Sequence, residues 1–164
     1  TRKLEAAGAM GVEYSLSCPQ GGDGAQGDIV SQNAELAAKI IGWVMKASSA
    51  DNPKLFKLTA AVTAIQPIIQ YIQQVFAQYP HKKAGVTLAT SFPSLTLRRA
   101  EDRRWEEGVV VGMSGEGVLP ISNLTLAKVS GMGIAVSGNG GPMNYKRRPT
   151  FWPWAPKRCS FAPS

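Results

Sequence analysis

A chain of 164 residues is long enough to bury one real hydrophobic core and too short to call for two domains. Its 44% hydrophobic and 18% charged residues are those of a globular protein, which excludes wholesale disorder. The net charge of +7 is unevenly placed: residues 1–144 hold 13 Lys and Arg against 11 Asp and Glu, and residues 145–164 hold 5 against none, which predicts a nearly neutral body with a basic arm.

The opening at Thr1, without Met or a signal-type apolar run, implies a removed leader or Met, or a start inside a longer precursor. Residues 1–11 are small and mixed, and read as a short helix or a loose start. "VEYSLSC" then alternates Val12, Tyr14, Leu16 and Cys18 against Glu13, Ser15 and Ser17, the two-residue period of a half-buried strand. Pro19 ends it, and "PQGGDGAQGD" is a loop. A helix is expected from Ser31 to Ala47, with Leu36, Ile40, Trp43 and Ala47 on its apolar face.

After the break "SSADNP", a second helix is expected, with Ser49 or Asp51 as its cap and Pro53 in its first turn. Leu55, Leu58, Val62, Ile65, Ile69, Ile72, Phe76 and Tyr79 recur at three-four spacing and predict one continuous seam, kinked at Pro67. Its other side is free of charge from Leu58 to Pro80, with Gln66, Gln70, Gln73, Gln74 and Gln78 supplying the polarity. Neutral glutamines suit contact with another protein surface, so Gln66, Gln70 and Gln73 are candidate partner contacts; a membrane span is the alternative for so long an uncharged run.

From Val86 onward "VTLATSF", "SLTLRR", "GVVVGM", "GVLPIS", "NLTLAKVSG" and "GIAVSG" read as short strands. Their spacing predicts antiparallel hairpins or a meander, without helical crossovers. The "RRAEDRRWEE" stretch between them reads as a solvated turn or short helix. The expected architecture is α+β: one domain over 1–144, with a helical hairpin or kinked bundle over 29–80 and a small antiparallel β region over 86–141, followed by an arm over 145–164.

No complete catalytic or metal constellation is visible. Gly22–Gly27, "GDGAQG", has the spacing of a dinucleotide-binding loop between a strand and a helix. The fingerprint also needs a parallel strand to return after that helix, and the expected second helix stands in its place, so no cofactor is expected. Asp23 and Asp28 lack the further oxygens of a calcium loop. His81 has no partnered nucleophile, and "PHKK" suits a helix end where cations meet the dipole. Glu101, Asp102, Glu106 and Glu107 lie among Arg98, Arg99, Arg103 and Arg104, as in a self-neutralised surface. Asn123-Leu124-Thr125 is a glycosylation sequon, which in a secreted chain marks a surface loop. Cys18 and Cys159 read as isolated thiols, although a bridge between them would pin the arm to the amino-terminal segment.

The arm contains "KRRPTFWPWAPKR". Lys146, Arg147, Arg148, Lys157 and Arg158 are candidate phosphate contacts to nucleic acid, and Phe151, Trp152 and Trp154 are candidate anchors on a partner or on unpaired bases. The function expected from these features is non-enzymatic: a structural subunit of a larger particle, of viral capsid or ribonucleoprotein type, contacting other subunits and nucleic acid. The alternatives are a membrane-active protein using the uncharged helix and the Trp/Pro/Arg arm, and an enzyme binding a phosphorylated ligand at Gly22–Gly27.

Overall fold

The computed structural model describes residues 1–18, 29–99 and 105–140, with backbone alone for 98, 99 and 105–107. After a short helix α1 (Arg2–Ala6), strand β1 (Val12–Ser15) forms where the two-residue alternation predicts it. A 3-10 turn at Val30–Gln32 leads into helix α2 (Ala34–Ala47), whose cap is Asn33, accepting from the Leu36 amide at 3.0 Å.

The buried face of α2 differs from the expected one. Ala37, Ala38, Ile41 and Met45 face inward, while Leu36 is 40% and Trp43 60% exposed. Apolar residues occur on both sides of this helix, and the side with the small alanines is the one that lets the helix pack closely. Trp43 stays outside under the ammonium of Lys39, which lies 5.4 Å from its ring centre.

The expected second helix starts too early. Lys54–Lys57 form strand β2, and helix α3 spans only Ile65–Ala77. Leu55, Leu58 and Val62 therefore match the helical spacing without being helical. The pattern that rules is Lys54, Phe56 and Leu58, all at most 1% exposed. A lysine in a core position disguises that two-residue period. Burial is possible because the Lys54 ammonium donates to the Ser49 and Asn52 carbonyls. Desolvation lowers its pKa, with Lys82 adding to the effect and Glu5 and Asp51 opposing it. Pro67 falls in the first turn of α3, where its missing amide costs nothing, so the expected kink has no cause.

Strand β3 (Ala84–Leu88), the hairpin strands β4 (Phe92–Arg99) and β5 (Trp105–Met113), helix α4 (Leu119–Val129) and strand β6 (Val136–Gly138) complete the chain. The stretches "GVLPIS" and "NLTLAKVSG" were expected as strands, yet they lie in a 3-10 turn at Gly115–Val118 and in α4. Two of the four residues that α4 buries, Ser122 and Thr125, are polar, so its apolar period is broken in sequence. Thr125 Oγ1 donates to the Ile121 carbonyl at 2.9 Å, which satisfies the hydroxyl inside the helix.

The α+β expectation is overturned by the pairing. Strands β1, β2, β3 and β6 form a four-stranded sheet in that order, every pair parallel, with helices alternating between strands; only β4 and β5 form an antiparallel hairpin. Parallel neighbours require crossovers, and crossovers of one hand between consecutive neighbours put their helices on one face. The core has that form: Ile41 and Met45 of α2, Ile65, Ile68, Ile69 and Ile72 of α3, and Leu126 and Val129 of α4 cluster on Phe56, Val86 and Val136 of the sheet. Tyr14 and Phe76 extend it by ring contacts with Phe56 at 5.3 and 5.9 Å.

Candidate ligand-binding site

The other face of the same sheet is built differently. Strand pleating sends alternate residues to opposite faces, and the register aligns Ser15 with Lys57, Lys57 with Thr87, and Thr87 with Ser137. A row of three hydroxyls and one ammonium therefore crosses all four strands, spanning about 14 Å at the usual strand separation. Glu13 organises it: its carboxylate lies 3.3 Å from Lys57 Nζ and accepts from Thr87 Oγ1 at 2.6 Å. Thr87 is thereby satisfied although only 3% exposed, while Lys57 and Glu13 keep part of their surface open.

This row lies near the carboxyl ends of the strands. Beyond it, Ser15 Oγ is 3.3 Å from Ser17 Oγ and 3.4 Å from the sulfur of Cys18, which is a free, exposed thiol. At the far side the Asn139 amide donates to the Leu88 carbonyl at 2.6 Å and its carbonyl accepts from the Ala89 amide at 3.0 Å, and the chain turns at Gly140 with φ +88°. A side chain there would meet Ser122 Oγ at 2.8 Å, so the turn requires glycine twice over. Ser122 is fully buried and its hydroxyl has no hydrogen-bond partner.

The glycine loop at 22–27, with Asp23 and Asp28, lies outside the described residues, but its two ends do not. The Ser31 amide donates to the Leu16 carbonyl at 3.0 Å, and Ser31 Oγ accepts from the Thr59 amide at 3.0 Å, which ties both ends to the carboxyl edge of β1 and β2. Two features of the sequence speak against a ligand-binding role for this loop: the ten loop residues from Pro19 that separate strand from helix, and the expected absence of a return strand. The second fails, because β2 follows α2 and pairs parallel with β1.

The other sequence candidates are scattered. Gln73 donates to the Met132 carbonyl and so is used inside the fold; Gln66 is half-buried and Gln70 exposed on α3. His81 is exposed, while its neighbour Lys82 donates to the Met45 and Ser48 carbonyls. The cation of "PHKK" thus meets a helix end, but that of α2. The sequon lies in α4, where Asn123 is half-buried, and not in a surface loop. Lys146, Arg147, Arg148, Phe151, Trp152, Trp154, Lys157, Arg158, Cys159 and the acidic residues Glu101 and Asp102 lie outside the described residues, as do the side chains of Glu106 and Glu107.

An open cleft of about 420 Å³, lined by Gln32, Ala34, Ala61–Ala64, Pro67 and Ile68, has no charged side chain among its described lining residues. Among the described residues no group of three or more His, Cys, Asp or Glu is placed to hold a metal, and no helix is long and apolar enough to cross a membrane. The polar row was half legible: Glu13 and Ser15 stand out as the polar phase of "VEYSLSC", whereas Lys57 and Thr87 join them only through strand register. Among known protein families, no family model matches this chain.

Proposed function

We propose that this chain is the ligand-binding part of an α/β enzyme, holding a small phosphorylated molecule at the carboxyl edge of its parallel sheet. The observation that carries this reading is the row Ser15, Lys57, Thr87 and Ser137 on the face opposite helices α2, α3 and α4. Strands of a parallel sheet are ordinarily apolar on both faces, and polar groups converging across four of them suit a ligand better than a core. Consecutive strand order with helices on one side is the winding of a β/α barrel, whose sites lie at the carboxyl ends of the strands. That likeness concerns winding alone; the chemistry comes from the side chains.

In this reading Lys57 supplies the charge for an anionic oxygen, Ser15 and Ser137 supply hydroxyl contacts, and Glu13 orients Lys57 while occupying Thr87. Helix α3 has no side-chain cap and no acid in its first turn, so the positive end of its dipole adds to the attraction at this edge. Calorimetry with ATP, NAD and flavin mononucleotide tests the idea. Saturable binding of at least one is expected, weakened about tenfold by Lys57→Met through loss of a charge-assisted contact. No saturable heat with any of them, or binding indifferent to Lys57→Met, overturns it.

A second proposal keeps the assembly reading: a subunit that contacts its neighbours and carries nucleic acid on the basic arm. It is favoured by the aliphatic surface of the β4–β5 hairpin, where Leu95, Leu97 and Val110 are at least 50% exposed. Copurifying nucleic acid that is lost on deletion of residues 145–164 supports it; an unchanged nucleic-acid content refutes it.

A further inference from the structure

Among the described residues the β4–β5 hairpin forms a sheet of its own, separate from the parallel sheet. Its strands of 8 and 9 residues pair only with each other, so each has an outer edge without a strand partner among the described residues. Two-stranded hairpins are marginal in water, and exposed edges invite pairing unless charge, proline or a bulge protects them. The two edges differ in this respect. Strand β4 carries Pro93, which blocks a ladder on its side. Strand β5 has no proline, its register shift is confined to Trp105–Gly108, and over 108–112 it has neither charge nor irregularity; Val109, Val110 and Val111 are 49%, 55% and 36% exposed.

The order of residues there points to the occupant. Positions 108–112 read Gly-Val-Val-Val-Gly, the same in both directions. An antiparallel pair of such segments related by a two-fold axis at Val110 sets Val110 against Val110, Val109 against Val111 and Gly108 against Gly112. Every valine then gains a valine neighbour, and each small residue meets another small one. A two-fold dimer needs a patch complementary to itself, and this edge meets that condition by sequence. We infer that the outer edge of β5 pairs antiparallel with β5 of a second copy of this chain, joining two hairpins into one four-stranded sheet. The contact lies on the hairpin alone, so it does not depend on the ligand reading above.

Sedimentation velocity on the full chain and cysteine crosslinking in a Cys18→Ser, Cys159→Ser background test this. The wild type is expected to sediment as a dimer at about 100 µM, and Val110→Lys, which sets two ammonium groups face to face, is expected to weaken association by about tenfold or more. Val110 is open to solvent and no member of the core cluster, and the circular dichroism of the Lys variant checks that it folds. Val110→Cys is expected to form a disulfide dimer with itself. Val109→Cys alone is expected not to, whereas a mixture of Val109→Cys and Val111→Cys crosslinks. A monomeric wild type, a dimer untouched by Val110→Lys, or self-crosslinking of Val109→Cys equal to that of Val110→Cys overturns the inference; in the first case the edge is free or serves a different protein.

Discussion

The two faces of the parallel sheet carry opposite chemistry on the same four strands. On one, Phe56, Val86 and Val136 are at most 4% exposed beneath three helices; on the other, one residue further along, stand Ser15, Lys57, Thr87 and Ser137. Because the pleat separates neighbours in sequence into different environments, stability and ligand chemistry are expected to respond to different substitutions on one strand. Strand β2 is the sharpest case, since Lys54 and Phe56 are buried with different partners while Lys57, one residue on, is partly exposed and paired with Glu13.

The largest effect is expected from Phe56→Ala, which empties a fully buried site between Tyr14 and Phe76 and should cost about 4 kcal/mol in denaturant unfolding. A loss below about 1 kcal/mol would mean that the helix-covered face is not the core. Next comes Lys54→Ala, which leaves the Ser49 and Asn52 carbonyls without their ammonium donor and should cost about 2 kcal/mol. Lys57→Met breaks a partly exposed ion pair and should change stability by less than about 1 kcal/mol, while weakening ligand binding. If Lys57→Met proved as damaging to stability as Lys54→Ala, the division between the two faces would fail.

The smallest effect concerns pH. Burial lowers the Lys54 pKa below its ordinary 10.5, so between the lowered value and 10.5 the unfolded chain binds more protons than the folded one. Stability contributed through this group therefore rises with pH across that window. Comparing urea unfolding of the wild type and Lys54→Met over the alkaline range should show that increment in the wild type alone.

Legibility followed the purity of each pattern. Strand β1 was readable because Val12, Tyr14 and Leu16 alternate with Glu13 and Ser15, and the existence of α2 was readable from its length and its breaks on either side. Strand β2 was not, because a lysine sits where the period demands an apolar residue, and only the carbonyls of Ser49 and Asn52 make that burial tolerable. Helix α4 was not, because buried Ser122 and Thr125 look polar in sequence and β-branched neighbours suggest a strand. Once β2 and α4 were misread, a parallel sheet could not be assembled from what was left, and the candidate site went with it.

By itself the sequence determined the local matters: where the chain breaks at "SSADNP", the concentration of cations in residues 145–164, and the polar phase of β1. Each depends on residues within a few positions of one another, and local sterics and charge suffice to specify them. The tertiary structure alone decided which strands pair, which side of α2 is buried, and that Glu13, Lys57 and Thr87 meet. Those residues lie up to 74 positions apart, and their contact exists only because the crossovers align three strands in one register.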